Sequence, residues 1–297
     1  MKSRPPRIAL IILTYRFPEI TLRCLESLSS SKSENPFTIF LINNYPEDGS
    51  GGVLQEGLSS TGMETRYIEA PRNLGFTGGM NLGIRTALKE NFSHLVLLNN
   101  DTTVRSDFGH NLQKEIEQWP NDVLAGLVLD AVTHLPSANI AIVTPWTQQI
   151  KNIFSTEYDG EVDVVSGCFA IFPVEVFRQV GLFFEPYFMY REDFELCLRV
   201  KRAGFIIRCC PSMVVFHEVS ASSGKVGVPT YYYAIRNQTH AILRHASFVH
   251  KLAYLGYMFF LLLYKLRQPR IFLVLCAAMR DAFLNRLGVR YSLSSQS

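Results

Sequence analysis

Three short, nearly unbroken apolar runs, each ending on small polar side chains, set the tightest limit on how this chain folds. They are Ile8 to Leu13, Phe37 to Ile42 and Leu95 to Leu98. Runs of this length read as strands, and apolar residues at consecutive rather than alternate positions call for cover on both faces. Between them lie stretches with helical spacing. Residues 18–30 offer Ile20, Leu22, Cys24, Leu25 and Leu28 along one side, and residues 78–90 open on glycines and continue as a helix. Arg66 to Ile68 is a further short strand. Strands alternating with helices predict βαβ units and a parallel sheet.

Ligands of such sheets bind beyond the carboxyl ends of the strands. Those ends here are Thr14-Tyr15, Asn43-Asn44 and Asn99-Asn100-Asp101. Asparagine and aspartate are also ordinary turn formers. Polar ends on three strands in succession shift the balance toward a binding edge. One α/β domain of about 230 residues with a C-terminal extension fits the length, as would two domains. A hydrophobic share of 47% suffices for a sizeable core, and a net charge of +3 gives no case for a nucleic-acid partner. Six cysteines include no Cys-x-x-Cys pair, so neither a zinc site nor a redox motif is indicated. Buried thiols in a reducing compartment are expected instead. The first apolar run is too short for a signal-peptide core.

Four constellations bear on chemistry. In "NLGFTGGMNLGI", Asn73 to Ile84, the glycines Gly75, Gly78 and Gly79 permit close backbone approach to a ligand, and the helix that follows offers its N-terminal N–H groups to an anion such as a diphosphate. The stretch is neither a dinucleotide fingerprint nor a Walker loop. Asp101 at a strand end can hold a divalent cation, with positions left for substrate phosphates. His217 follows the apolar run Met213 to Phe216 and meets Asp101 if that strand joins the sheet. An imidazole in the set favours Mn²⁺ over Mg²⁺. A lone histidine at a strand end also has an ordinary structural use.

In "YFMYREDFELCLRVKRAG", Tyr187 to Gly204, an apolar stripe through Phe194, Cys197, Leu198 and Val200 marks a helix that stops at Gly204. Glu192 and Asp193 stand in its first turn, where the helix dipole favours acids; two adjacent acids behind aromatic residues can also present a general base. Toward the C-terminus, Leu252 to Tyr264 carries no charge, a second apolar run covers 271–279, and Lys251, Lys265, Arg267 and Arg270 flank them. Both runs fall short of the roughly 20 residues of a spanning helix. Seating on an anionic membrane surface and packing into a core or a homo-oligomer both fit this pattern. The stretch "SASSGKVG", Ser220 to Gly227, has the composition of a flexible loop, with Lys225 a candidate phosphate contact. Residues 130–160 show little periodicity and are the least readable part of the chain.

Taken in order and spacing, Thr14-Tyr15, "NLGFTGGMNLGI", "LLNNDT", "VDVVSGCFAIFPVEVFRQVGLF", "FMYREDFELCLRVKRAGF" and "VVFHE" resemble the inverting glycosyltransferases of family 2, most closely the bacterial branch with rhamnosyltransferases. The resemblance covers about residues 7 to 245. It implies an α/β fold of GT-A (Rossmann-like) type: a single domain, residues 1–245, with a mostly parallel central sheet. C-terminal apolar helices, residues 246–297, would form an extension. It implies Thr14 and Tyr15 beside the nucleotide, and Asn73, Gly78, Gly79, Asn99 and Asn100 around the nucleotide sugar. Ser166 and Gly167 would line the two sugars. Asn99-Asn100-Asp101 stands where the family carries Asp-x-Asp, making Asp101 and His217 ligands of a divalent metal, Mn²⁺ or Mg²⁺. Asp193 becomes the catalytic base, with Glu192 its neighbour. Asn43 departs from the aspartate that usually reads uracil or thymine; its side-chain oxygen can still accept from N3–H.

The expectation is therefore transfer of one sugar from a UDP- or dTDP-linked donor to a hydroxyl of a glycan or lipid-linked acceptor, at the cytoplasmic face of a membrane. No Gln-x-x-Arg-Trp motif is present, which argues against a processive polysaccharide synthase. A catalytically silent sugar-nucleotide binder on the same fold is the alternative, and Asp101, Asp193 and His217 count against it. A nucleotidyltransferase would place a glycine-rich phosphate loop near the first strand, where none occurs.

Overall fold

The computed structural model describes residues 5–31, 37–218 and 227–290. The expected loop over Ser220 to Gly227, apart from Gly227 itself, lies outside the described residues.

The three apolar runs are strands β1 (Ile8–Thr14), β2 (Thr38–Asn43) and β4 (His94–Asn99), with β3 (Thr65–Glu69) beside β2. Every residue of β1 is buried. Ala9, Ile11 and Leu13 join one apolar cluster with Met80 and Ile84, whereas Ile8, Leu10 and Ile12 join a second with Cys24, Leu25 and Leu28. Helices α1 (Pro18–Ser29) and α2 (Gly51–Ser60) supply the second cluster, and α3 (Gly75–Ala87) the first. A run continuous in sequence thus serves two layers in space, which is why alternation is absent from it.

Further along come β5 (Thr102–Val104), α4 (Phe108–Gln118), β6 (Val123–Asp130), β7 (Ile140–Val143), β8 (Ile150–Asn152), β9 (Gly160–Glu161), β10 (Val164–Val165) and β11 (Phe169–Pro173). Helices α5 (Val174–Val180) and α6 (Glu192–Arg202) precede β12 (Ile207–His217). Among the described residues the main sheet has nine strands, in the order β3-β2-β1-β4-β11-β6-β12-β5, with β9 alongside β12. β1 to β4, β6 and β12 run in one direction; β5, β9 and β11 oppose them. The chain winds outward from β1 through β2 to β3, then returns to set β4 on β1's other side. That reversal is the place where open α/β sheets bind ligands. Register aligns Thr14 with Asn43, and Leu13 with Asn99, so the polar strand ends share one edge.

Residues 130–160, which lack periodicity, are not shapeless. They contribute β7 and β8, which pair antiparallel and join β10 in a separate three-stranded sheet. The strands are too short to show a period.

The C-terminal helices are α7 (Val228–His245), α8 (Phe248–Lys265) and α9 (Pro269–Phe283). The division drawn at residue 245 is not a break in packing. Tyr254, Met258 and Leu275 belong to the main apolar cluster, and the buried Tyr232 hydroxyl of α7 donates to Asp281 of α9 at 2.6 Å. No helix among the described residues is long and apolar enough to cross a membrane.

Candidate active site

Asp101 follows β4, and β5 carries the chain away antiparallel to β12, pairing Thr102 with His217. This brings the Asp101 Oδ1 to 3.0 Å from the His217 Nε2, with the Asp101 side chain buried. The Asp101 carbonyl also accepts from the Glu218 N–H at 2.9 Å. The condition placed on His217 is met, because its strand does join the sheet. A carboxylate and an imidazole converging at a strand edge fit a divalent cation of the Mn²⁺ class. No group of three or more His, Cys, Asp or Glu side chains clusters for a metal among the described residues.

The neighbouring polar residues form a relay into the core. The Asn100 Nδ2 donates to the Thr21 hydroxyl at 2.9 Å, and Thr21 donates to Thr14 at 2.8 Å. Thr14 is thus buried beneath the edge, while Tyr15 is exposed on it. The Tyr15 ring packs 5.2 Å from Tyr45, and the Arg16 guanidinium lies over both rings. Tyr45 and Arg16 are additions to the predicted set. Asn43 is buried; its oxygen accepts from the Tyr45 N–H at 3.0 Å and its amide donates to the Tyr67 hydroxyl at 3.1 Å.

The glycine-rich stretch enters its helix earlier than expected. The helix starts at Gly75 rather than at residue 78, with two asparagine side chains and a backbone carbonyl accepting from N–H groups at its start. Asn44 accepts from the Leu74 N–H at 3.0 Å, Asn73 from Gly75 at 2.8 Å, and the Phe188 carbonyl from Thr77 at 3.2 Å. The Leu74, Gly75 and Thr77 N–H groups are thus engaged within the protein. Gly78 and Gly79 lie within α3. A Cβ on Gly79 would stand 2.4 Å from Leu13 Cδ1 and one on Gly78 2.8 Å from Leu74 Cβ. Gly79 thus allows close packing of α3 on β1.

The acids at the start of α6 stand on an unusual turn. Phe188, Tyr190 and Arg191 all have positive φ, 62° to 66°. Non-glycine residues in this region persist only where their surroundings impose it. The imposing group is Asn237, fully buried in α7, whose amide donates to the Tyr190, Met189 and Tyr187 carbonyls at 2.7, 3.0 and 3.3 Å. Arg236 donates to the Asn237 oxygen at 2.9 Å and so fixes which way the amide points. Neither residue was anticipated; the available signal was the run Arg236-Asn237-Gln238-Thr239, four polar residues consecutive within a helix and all buried.

Burial is the main cause that raises the pKa of both Asp193 and Glu192. Asp193 Oδ1 accepts from the Phe194 N–H at 2.7 Å. Burial raises its pKa, while Arg191 and N–H groups including that of Gly167 hold it down. Glu192 is pushed up to about 8, first by burial and then by the charge of Asp193. Two cavities of about 440 and 400 Å³ meet at this point and share Ser166, Tyr190, Arg191, Asp193 and Thr230 in their walls. The smaller extends to Asn99, Gly167 and Glu192, the larger to Asn139, Ile150 and Asn152. Thr14, Tyr15, Asn43, Asp101 and His217 line neither. The cysteines are free and mostly buried, with Cys276 half-buried; burial pushes the Cys24 thiol up to about 12, so it is no nucleophile.

Residues 9–181, more than half of the chain, match the model of glycosyl transferase family 2. The chain belongs to that family. This family 2 glycosyltransferase is 25% identical over 238 residues to the dTDP-rhamnosyl transferase RfbF of Shigella flexneri, covering 76% of this chain and 77% of that one. It is 35% identical over 81 residues to the N-acetylglucosaminyl-diphospho-decaprenol L-rhamnosyltransferase of Mycobacterium tuberculosis, a match spanning only about a quarter of either chain. Its fold is that of the mannosyltransferase PcManGT from Pyrobaculum calidifontis, solved with GDP-Man and Mn²⁺, at a TM-score of 0.58 and 14% identity over 98% of this chain and 78% of that one. The glycosyltransferase fold and the use of a nucleotide sugar expected from the motifs stand on these likenesses together.

Proposed function

We propose that this glycosyltransferase moves a single sugar, with inversion, from a dTDP- or UDP-linked donor to a hydroxyl of a lipid-linked glycan. The observation that carries the reading is Asp193 on the wall common to two cavities. The smaller one, reaching Asn99 and Gly167, is assigned to the donor sugar; the larger is assigned to the acceptor. Of the two adjacent acids, Asp193 lines both cavities whereas Glu192 lines only the smaller, so Asp193 is assigned the role of base. The acceptor O–H gives its proton to Asp193 as its oxygen bonds to the anomeric carbon, and the bond from that carbon to the diphosphate breaks on the opposite side.

Asp101 and His217 would hold the divalent cation, which when bound supplies charge neutralisation for the departing diphosphate. Tyr15, Tyr45 and Arg16 offer the nucleoside an aromatic and cationic face. Ser166 and Gly167 stand between the two sugars. The dTDP and decaprenyl diphosphate named for the two rhamnosyltransferase relatives support the donor and acceptor classes. The test is release of nucleoside diphosphate from dTDP- and UDP-sugars with Mn²⁺, in the wild type and in Asp193→Asn. Equal release by both proteins would remove the assignment.

A further inference from the structure

The surface of the C-terminal hairpin presents a second feature that the transfer site does not use. On α8, Leu252, Phe259, Phe260, Leu263 and Tyr264 are exposed, Phe260 by 68% and Tyr264 by 73%. Their spacing of 7, 8, 11 and 12 residues places them on one face of a helix, opposite the buried Tyr254 and Met258. Leu266 at the turn and Leu273 on α9 extend the apolar surface. An exposed apolar face this continuous marks an interaction surface.

Charge decides what it meets. From Val228 to Arg280 the sequence has no aspartate or glutamate. Lys265, Arg267 and Arg270 cluster at the hairpin turn, and none has a carboxylate partner among the described residues. A two-fold pairing of this face with a second copy sets the same patch against itself. That brings cations together with no acid on the face to neutralise them. An anionic lipid surface satisfies both components, burying the apolar face and pairing with the basic turn.

The face is also joined to the larger cavity. β7 and β8 form part of that cavity's wall through Ala141, Ile150 and Asn152. The turn between them carries Trp146, 65% exposed, with its ring 6.1 Å from that of His250 on α8. The Gln148 carbonyl in the same turn accepts from Gln238 of α7 at 3.1 Å. Tryptophan is the residue most at home at a bilayer interface.

We infer that the exposed face of α8, the turn at 265–270 and Trp146 form one docking surface for an anionic bilayer, with the larger cavity opening beside it to receive the acceptor. The docking surface stands by itself, whereas its purpose rests on the lipid-linked acceptor proposed above. The experiment is flotation of the full chain with phosphatidylcholine vesicles containing or lacking phosphatidylglycerol, without acceptor. Three proteins are compared: wild type, Phe259→Ser/Phe260→Ser, and Lys265→Glu/Arg267→Glu/Arg270→Glu. The wild type should float with the anionic vesicles only and detach as salt is raised. Each variant should lose at least about tenfold in partitioning, the amount expected for two buried rings or three basic residues at a charged surface. Donor hydrolysis in detergent, which reports on the transfer site separately, should be unchanged in both. The inference is overturned if the wild type ignores anionic vesicles, if the variants float as it does, or if a dimer in solution is dissociated by the Phe259/Phe260 change, which would make a second copy the occupant.

Discussion

Replacing Asn237 by aspartate tests how the catalytic turn is held. The change preserves shape and volume but removes both amide protons. Those two protons serve three carbonyls, at 2.7, 3.0 and 3.3 Å, within a site with no solvent access. Leaving a buried acceptor unsatisfied costs about 1–3 kcal/mol, and two donors are lost, giving about 2–6 kcal/mol. The turn they restrain contains three residues at φ of 62° to 66°, each strained by about 1–3 kcal/mol, so the turn has reason to relax once released. Arg236 stays beside the new carboxylate and offsets part of the loss, so a cost of about 3 kcal/mol follows, in the lower half of the range. Asp193 begins two residues after the last strained position, so relaxation displaces the base while Asp101 and His217, on other elements, stay put. Urea denaturation followed by circular dichroism measures the stability. Transfer kinetics under folding conditions should show kcat lower by at least about tenfold, with the donor KM within a factor of about three, since an interaction made only in the transition state is the one lost. A variant as stable as wild type refutes the hydrogen-bond account. A destabilised variant with unchanged kcat refutes the link from Asn237 to the base.

Asp193→Asn should cut turnover by about 10²–10⁴-fold with donor binding little changed, and Glu192→Gln should cost far less; a dead Glu192→Gln beside an active Asp193→Asn would move the base by one residue. Glu192 also predicts a pH dependence of stability: its folded value of about 8 lies above its ordinary 4.5, so the contribution is full below pH 4.5 and is lost as pH rises through 8. Urea midpoints taken across that window should fall with pH in the wild type and flatten in Glu192→Gln. Asp101→Ala should abolish Mn²⁺-dependent donor binding in calorimetry, and His217→Ala should weaken it less, because Asp101 and the diphosphate oxygens remain; normal Mn²⁺ binding by Asp101→Ala would remove the metal assignment. Gly79→Val should lower stability by about 1–3 kcal/mol through overpacking against Leu13, read from the thermal midpoint, whether or not donor is present.

The sequence alone determined the elements and the edge. β1, β2 and β4 are visible as apolar runs because burial on both faces leaves no polar position, and their polar ends mark the carboxyl edge because the chain must turn there. Asp101, His217 and Asp193 are legible as residues, since each sits at the end of a strand or the start of a helix, where a local pattern breaks. Tertiary structure decided which of them meet. His217 reaches Asp101 only because β5 doubles back against β12, a pairing between residues more than a hundred positions apart. The positive-φ turn before α6 cannot be read from Phe188, Tyr190 or Arg191, none of which favours that conformation. It exists because an amide from α7 is delivered to it across the fold. The glycines of the third helix show the same limit. A missing side chain looks identical in sequence whether the close neighbour is a diphosphate or a leucine, and only the packing of α3 against β1 shows that at Gly79 it is Leu13.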